Sequence, residues 1–255
     1  MFENIILKKL PPQDSVNLSD YQQACDEFNW NINPNQNLNI AYQAIDKHLN
    51  TAIEHKIALR WLGQHEQQID FSYHDLAEQT SCFASVLAKL GFDKGVRVFS
   101  LVNRVPLLYI SALGTLKFGG VFTPLFSAFG PEPIRSRMEI GEANVLITTI
   151  NLYRKKISHW DHELTNLKVV LFVDSPEHFN ETDVKPRHLG QNCFVLAELL
   201  ANADSRYPCI QSHGEDLSLL HFTSGTTGKP KGVMHVHQAV LAHQSSAKYA
   251  LNLKQ

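Results

Sequence analysis

Apolar residues recur at helical spacing in several stretches of the chain, and short β-branched runs separate them. Leu76, Phe83, Val86, Leu87 and Leu90 form one face of a helix that Ser72-Tyr-His-Asp75 opens and Gly91 closes. Ser72 is the expected cap, and Asp75 sets a carboxylate at the positive helix end. Pro106 starts a further helix through Lys117, and Pro131 another that ends near Gly141. Ile40, Ala44, Ile45 and Leu49 predict a helix from Asn39 to Leu49. Asn151 to Trp160, Phe194 to Ala203 and Val236 to Ala250 also read as helical. Ile57 to Leu62 and Gln68 to Tyr73 predict a hairpin joined through Gly63. Val96 to Val102, Val121 to Phe122, Val145 to Thr149, Val169 to Val173 and Leu217 to Phe222 are apolar without alternation, as strands buried on both faces are. Strands and helices in this order predict an α/β fold: a layered, mainly parallel sheet with helices on both faces. Ser19 caps an expected short helix through Cys25 and Phe28, Asn31 to Asn39 reads as a polar connector, and His178 to Gly190 as a surface loop.

Composition narrows the function classes. The 255 residues carry 23 Lys+Arg against 25 Asp+Glu, a net charge of −2, which gives no basic surplus for a nucleic-acid partner. The most apolar stretch, Leu107 to Phe126, is interrupted by Lys117, Gly119, Gly120 and Pro124, so no membrane partner is expected. The N-terminus does not read as a signal peptide, and a cytoplasmic location follows as the expectation. Cys25, Cys82, Cys193 and Cys209 contain no C-x-x-C pair and are expected to be reduced, mostly buried thiols.

One segment carries chemistry. In Leu219-Leu-His-Phe-Thr223-Ser-Gly-Thr-Thr-Gly-Lys-Pro-Lys-Gly232, six small or hydroxyl residues follow a strand, and two lysines flank a proline. Gly225 and Gly228 let backbone N–H groups approach phosphate oxygens. Thr223, Ser224, Thr226 and Thr227 add hydroxyl donors, and Lys229 and Lys231 add charge. This is not a Walker A loop: Gly225 and Gly228 are separated by two residues and not four, Pro230 replaces the magnesium-binding hydroxyl, and Pro230 and Gly232 oppose a helix starting at Lys229. No G-x-G-x-x-G follows any expected strand, which disfavours a dinucleotide fold.

The segment resembles the phosphate-binding signature of the acyl-adenylate-forming enzymes. Asn37 to Asp46, Tyr73 to Val98, Pro124-Leu-Phe-Ser-Ala-Phe-Gly-Pro-Glu-Pro-Ile-Arg135, Leu152-Tyr-Arg-Lys-Lys156 and His235-Val-His237 are similar to the acetyl-CoA synthetase branch of that family. The resemblance implies a ligase using ATP with Mg2+, acetate or another short carboxylate, and coenzyme A. It also implies that Thr223, Ser224, Gly225, Thr226, Thr227, Gly228 and Lys231 hold the ATP phosphates, with Lys229 an accessory charge. Arg154 matches an arginine that binds a coenzyme A phosphate in relatives, and the residues themselves leave a solvated surface charge equally open. Ile157 stands where some relatives carry a second arginine, which Lys155 and Lys156 would offset. The domain layout implied is an extension over residues 1–36 and a partial large domain over 37–255. The second half of that domain and the small C-terminal domain with the adenylating lysine would be missing, and with them any catalytic residue. The missing C-terminal part is then itself a partner. Two other readings stay open: a non-catalytic remnant that binds nucleotide weakly or serves as an interaction module, and an adenylation domain of another acyl-activating enzyme.

Thirteen histidines invite a metal reading of His235, His237 and His243. No Cys, Asp or Glu between them completes a site, and structural or substrate-lining roles are expected instead. Phe122, Phe126 and Phe129 read as core, with Phe129 a second candidate for the coenzyme site by resemblance.

Overall fold

Short apolar strands alternate with helices in a computed structural model of the chain, which describes residues 37–63, 66–173, 192–224, 230–240, 243 and 247. Contacts divide the chain into residues 37–237 and a second unit of residues 1–36 with 238–255. The second unit is described only at residues 238–240, 243 and 247, so the architecture below is that of residues 37–237. The helix expected at Ser19, the start of the connector after Asn31, the loop His178 to Gly190 and most of the helix expected from Val236 to Ala250 lie outside the described residues.

In chain order the elements are α1 (Ile40–Ala44), β1 (Ile57–Leu62), β2 (Gln68–Ser72), α2 (Tyr73–Lys89), β3 (Arg97–Leu101), α3 (Pro106–Phe118), β4 (Val121–Pro124), α4 (Pro131–Ile140), β5 (Val145–Thr148), α5 (Ile150–Lys156), β6 (Val169–Phe172), β7 (Cys193–Val195), α6 (Leu196–Leu200), β8 (Leu217–Ser224) and β9 (Pro230–Val236). Ser72 caps α2 in a reciprocal box: its hydroxyl accepts from the Asp75 N–H, and the Asp75 carboxylate accepts from the Ser72 N–H. Pro106 and Pro131 occupy the first turns of α3 and α4, as their fixed φ favours. Gly119 ends α3 at φ 85, a left-handed position, and a Cβ there would sit 3.0 Å from Ile210.

Strands β1 and β2 form the expected antiparallel hairpin. Among the described residues the remaining strands make one sheet in the order β7-β6-β5-β3-β4-β8-β9. The first six are parallel, and β9 runs antiparallel to β8. Alternate residues serve opposite layers. Val98, Phe122, Val145, Ile147 and Leu171 pack with Phe83, Leu87 and Ile110 from α2 and α3. Phe99, Leu101, Val121, Leu146, Val170 and Phe172 pack with Ile134, Met138 and Tyr153 from α4 and α5. Burial on both faces explains why these strands show no alternation in the sequence.

Four expectations need correction. The helix from Asn39 to Leu49 breaks at Ile45, whose φ −128 and ψ −66 end α1 before a separate 3-10 turn, Asp46–His48. The helix from Asn151 to Trp160 stops at Lys156, because Ile157 and Trp160 turn into the core under α5. Phe194 lies in a strand, not a helix: Cys193, Phe194 and Val195 extend the sheet beside β6. Three residues carry no readable period, and their partner strand decides their conformation. Val236 ends β9 instead of starting a helix.

Polar contacts dock the segment 37–48 onto this core. Asn39 is fully buried, donates to Leu116 O at 2.6 Å and to Ser212 Oγ at 3.0 Å, and accepts from the Ala41 N–H at 2.9 Å. Lys117, also fully buried, donates to Asp46 at 2.6 Å, to Ser81 Oγ at 3.0 Å and to Ala77 O at 3.2 Å. His237 accepts at Nδ1 from the Ile40 N–H at 3.0 Å, and burial pushes its pKa down to about 4.

Two outcomes follow from these contacts. Lys117→Met leaves Asp46 buried without its cation and should cost about 3–5 kcal/mol of stability, read from urea unfolding. His237 stays neutral when folded but takes a proton near pH 6.5 when unfolded. Its contribution is therefore complete above about pH 6.5 and is lost as pH falls toward about 4, by up to about 1.4 kcal/mol per pH unit. His237→Gln keeps an acceptor for Ile40 without that proton, so its urea midpoint should fall less than the wild-type midpoint across this window.

Candidate active-site edge of the sheet

All six parallel strands finish at the same edge, and the chain changes direction around β3. From β3 it moves outward to β4, whereas from β5 it moves the other way to β6. Such a reversal opens a crevice at the carboxyl ends of the strands, where ligands of open α/β sheets bind. Four stretches border this edge: Val102 to Val105 after β3, Leu125 to Gly130 after β4, Thr149 after β5, and the end of β8 at Thr223 and Ser224.

Thr223 and Ser224 belong to β8 itself, with Thr223 opposite Lys231 and Ser224 opposite Pro230 on β9. Thr223 and Lys231 are both exposed. Directly opposed residues of an antiparallel pair share a face, so a hydroxyl and an ammonium stand side by side where the strand pair opens. Gly225, Thr226, Thr227, Gly228 and Lys229 lie outside the described residues. Pro230 and Gly232 continue as a strand, so no helix begins at Lys229, as the proline and glycine implied.

The loop after β4 differs from its sequence reading. Phe122 is core, but Phe126 is 62% exposed. Phe129 packs partly against the core and meets Phe126 edge-on, with ring centroids 5.6 Å apart. A loop bend turns Phe126 outward, which residue type alone does not reveal. The Arg137 guanidinium lies 4.4 Å from the centre of the Phe129 ring, and its Nη1 donates to Pro133 O at 2.7 Å. Lys156, the last residue of α5, donates to Ser127 O at 2.5 Å and to Phe129 O at 2.7 Å. Neither set of contacts was legible in the sequence, where Lys156 reads only as an offset for the missing second arginine. Thr149 caps α5 by accepting from the Leu152 N–H at 3.2 Å. Arg154 is exposed on the same helix.

His221 and His235 meet edge-on across β8 and β9 with ring centroids 5.4 Å apart, and burial together with neighbouring His235 holds the His221 pKa below the usual histidine value. Among the described residues no group of three or more His, Cys, Asp or Glu is arranged to hold a metal ion. Burial pushes the Cys209 thiol up to about 12, which keeps it protonated and unreactive. No helix among the described residues is long and apolar enough to cross a membrane.

Residues 47–254 match the AMP-binding enzyme family. The chain belongs to this family. It is 31% identical over 262 residues to an acetyl-coenzyme A synthetase of Bacillus subtilis (strain 168), covering 98% of this chain and 43% of that protein. An acetyl-coenzyme A synthetase of Leptospira biflexa is 30% identical over 206 residues, covering 78% of this chain and 32% of that protein. The chain therefore spans less than half the length of these relatives. A solved Brucella canis acyl-CoA synthetase superposes with a TM-score of 0.75 at 24% identity, over 94% of this chain and 40% of that one. That likeness establishes the fold, the mostly parallel sheet with helices on both faces.

On β9, Val233 and Met234 are exposed, Met234 by 72%, and among the described residues this strand is the sheet's outer edge. An apolar outer strand invites pairing. The 255-residue chain should self-associate in light scattering, and Val233→Thr with Met234→Lys should shift it toward monomer. A monodisperse wild-type monomer would contradict this reading.

Proposed function

We propose that the chain is the N-terminal part of an acetate–CoA ligase, converting ATP, acetate and coenzyme A into acetyl-CoA, AMP and diphosphate. The observation that carries this reading is the pairing of Thr223 with Lys231 at the carboxyl end of β8, the two residues that bracket the hydroxyl- and glycine-rich sequence between them. The names of the similar proteins support the choice of acid.

In this reading the acetate carboxylate attacks the α-phosphorus of ATP, forming the acyl–phosphate bond of acetyl-AMP as diphosphate leaves. The coenzyme thiol then attacks the acyl carbon, losing its proton, and AMP leaves with the electron pair of the broken acyl–oxygen bond. Both steps need charge held in place and little covalent help from the protein. Thr223, Ser224, Gly225, Thr226, Thr227, Gly228 and Lys231 would cradle the β- and γ-phosphates as diphosphate departs. Magnesium would arrive with ATP as part of the substrate. Arg154, exposed on α5, would meet a phosphate of the coenzyme. Residues 37–255 would form the partial large domain behind residues 1–36, and the work would be done in the cytoplasm on small molecules.

The test is acetate-dependent exchange of pyrophosphate into ATP. The full polypeptide in which the chain occurs should catalyse it, and Lys231→Ala should slow it roughly ten- to 150-fold, the loss of one charge-assisted contact of about 1.5–3 kcal/mol. An unchanged rate removes Lys231 from the mechanism. Residues 1–255 alone should show no exchange, and clear exchange by them would overturn the assignment as a partial enzyme.

A further inference from the structure

Strands β8 and β9 carry Thr223 and Lys231 at one end, and buried polar contacts tie down the other end of the pair. Along the sheet the pair has little hold. Leu219 alone stands in register with β4, opposite Phe122, whereas β3 runs in register with β4 from Arg97 to Ser100 and with β5 from Val98 to Leu101. No strand lies beyond β9 among the described residues. The end away from Thr223 is different. The His237 N–H donates to Asp216 O at 3.0 Å, and the fully buried Ser218 hydroxyl donates to His235 O at 2.9 Å. The Asp216 carboxylate accepts from Lys94 at 2.7 Å and from the His213 N–H at 3.0 Å. The segment ahead of β1 closes this end. The Leu38 N–H donates to Ser212 O at 3.2 Å, and His237, 1% exposed, accepts at Nδ1 from the Ile40 N–H. That N–H opens α1, where a helix offers its own first donors no partner. Burying an imidazole costs solvation that an apolar side chain would not lose, so its acceptor, and not its bulk, is what this position uses.

We propose that His237 and the segment Asn37–His48 form a latch that positions the β8–β9 pair, and through it Thr223 and Lys231, for the adenylation step. This rests on the reading of Thr223 and Lys231 as contacts of the ATP phosphates. His237 touches no substrate; it is a positioning residue that acts through β9. From His237 to Lys231 the chain covers about 20 Å at about 3.4 Å per residue, and a hydrogen-bonded strand pair carries a shift at its base to its far end. The thioester step starts from acetyl-AMP, which has no β- or γ-phosphate. The latch therefore acts in the first half-reaction only.

The experiment uses the full polypeptide and separates the two half-reactions. His237→Leu should raise the KM for ATP in acetate-dependent pyrophosphate exchange about tenfold, and leave formation of acetyl-CoA from supplied acetyl-AMP and coenzyme A within about twofold of wild type. Amide hydrogen exchange over residues 217–224 and 230–236 should quicken about tenfold, with the amides of β3 and β5 unchanged, which also shows that the variant is folded. His237→Asn sets a carboxamide oxygen where Nδ1 stood and should restore both readouts. Ile40→Pro removes the same bond from its donor side, at a first helical position where proline is tolerated, and should match His237→Leu. The double variant should be no worse than either alone, because both remove one shared contact. Equal losses in both half-reactions, an unchanged KM for ATP, or additive effects in the double variant would overturn the latch. Lys231→Ala separates it from the reading beneath it. If Lys231→Ala leaves the exchange unchanged while His237→Leu raises the KM, the lysine assignment falls and the latch stands through Thr223. The reverse pattern keeps the lysine and removes the latch. A wild-type polypeptide with no acetate-dependent exchange sinks the acetate–CoA ligase reading, and the adenylation role of the latch with it.

Discussion

A parallel sheet covered by helices on both faces has no open surface except the ends of its strands, and this constraint governs the rest of the molecule. Each crossover helix must pack on one face or the other, which forces β3, β4, β5 and β8 to finish together. Residues far apart in the chain are thereby delivered to one edge without any long-range design beyond burial. Val102 follows β3, Leu125 follows β4, Thr149 follows β5, and Thr223 and Ser224 close β8. The candidate chemistry is local to four short stretches, and two apolar clusters, one on each face of the sheet, lie beneath them.

The segment that leads into this scaffold is fastened differently. Asn39, Lys117 with Asp46, and His237 form a buried polar seam between residues 37–48, the end of α3 and the 210–212 and 237 stretches. Buried polar groups repay little net energy against apolar ones of the same shape. Their directionality sets where the segment sits, because Asn39 and Lys117 each meet several acceptors at once in this one placement. An apolar seam would tolerate sliding by a residue, and this one does not.

Much of this was legible in the residues. The capping box at Ser72, the proline starts at Pro106 and Pro131, and the uninterrupted apolar strands each carry a local physical signature that survives in the fold. The Pro230–Gly232 argument against a helix was equally local, and β9 bears it out. What escaped depended on partners. The Phe194 segment becomes a strand only because β6 is beside it, and Ile157 leaves its helix because the core beneath has room for it. The same holds for the candidate site. The glycine-rich segment announces itself by composition, whereas the contacts of Lys156 and Arg137, with loop carbonyls and with a ring, depend on how the loop after β4 folds back.

The sheet order also has a temporal meaning. Strand β4 finds one neighbour, β3, immediately before it in the chain, but its other neighbour is β8, made only after α4, β5, α5, β6, β7 and α6. Through synthesis of α4, β5, α5, β6, β7 and α6, that side of β4 has no partner, and the layers above it must wait. A long-range parallel pairing of this kind is slow to form and leaves a sticky edge while it is pending. Chaperone dependence during translation should therefore be centred on the interval between Pro124 and Leu217, with release as β8 slides into place.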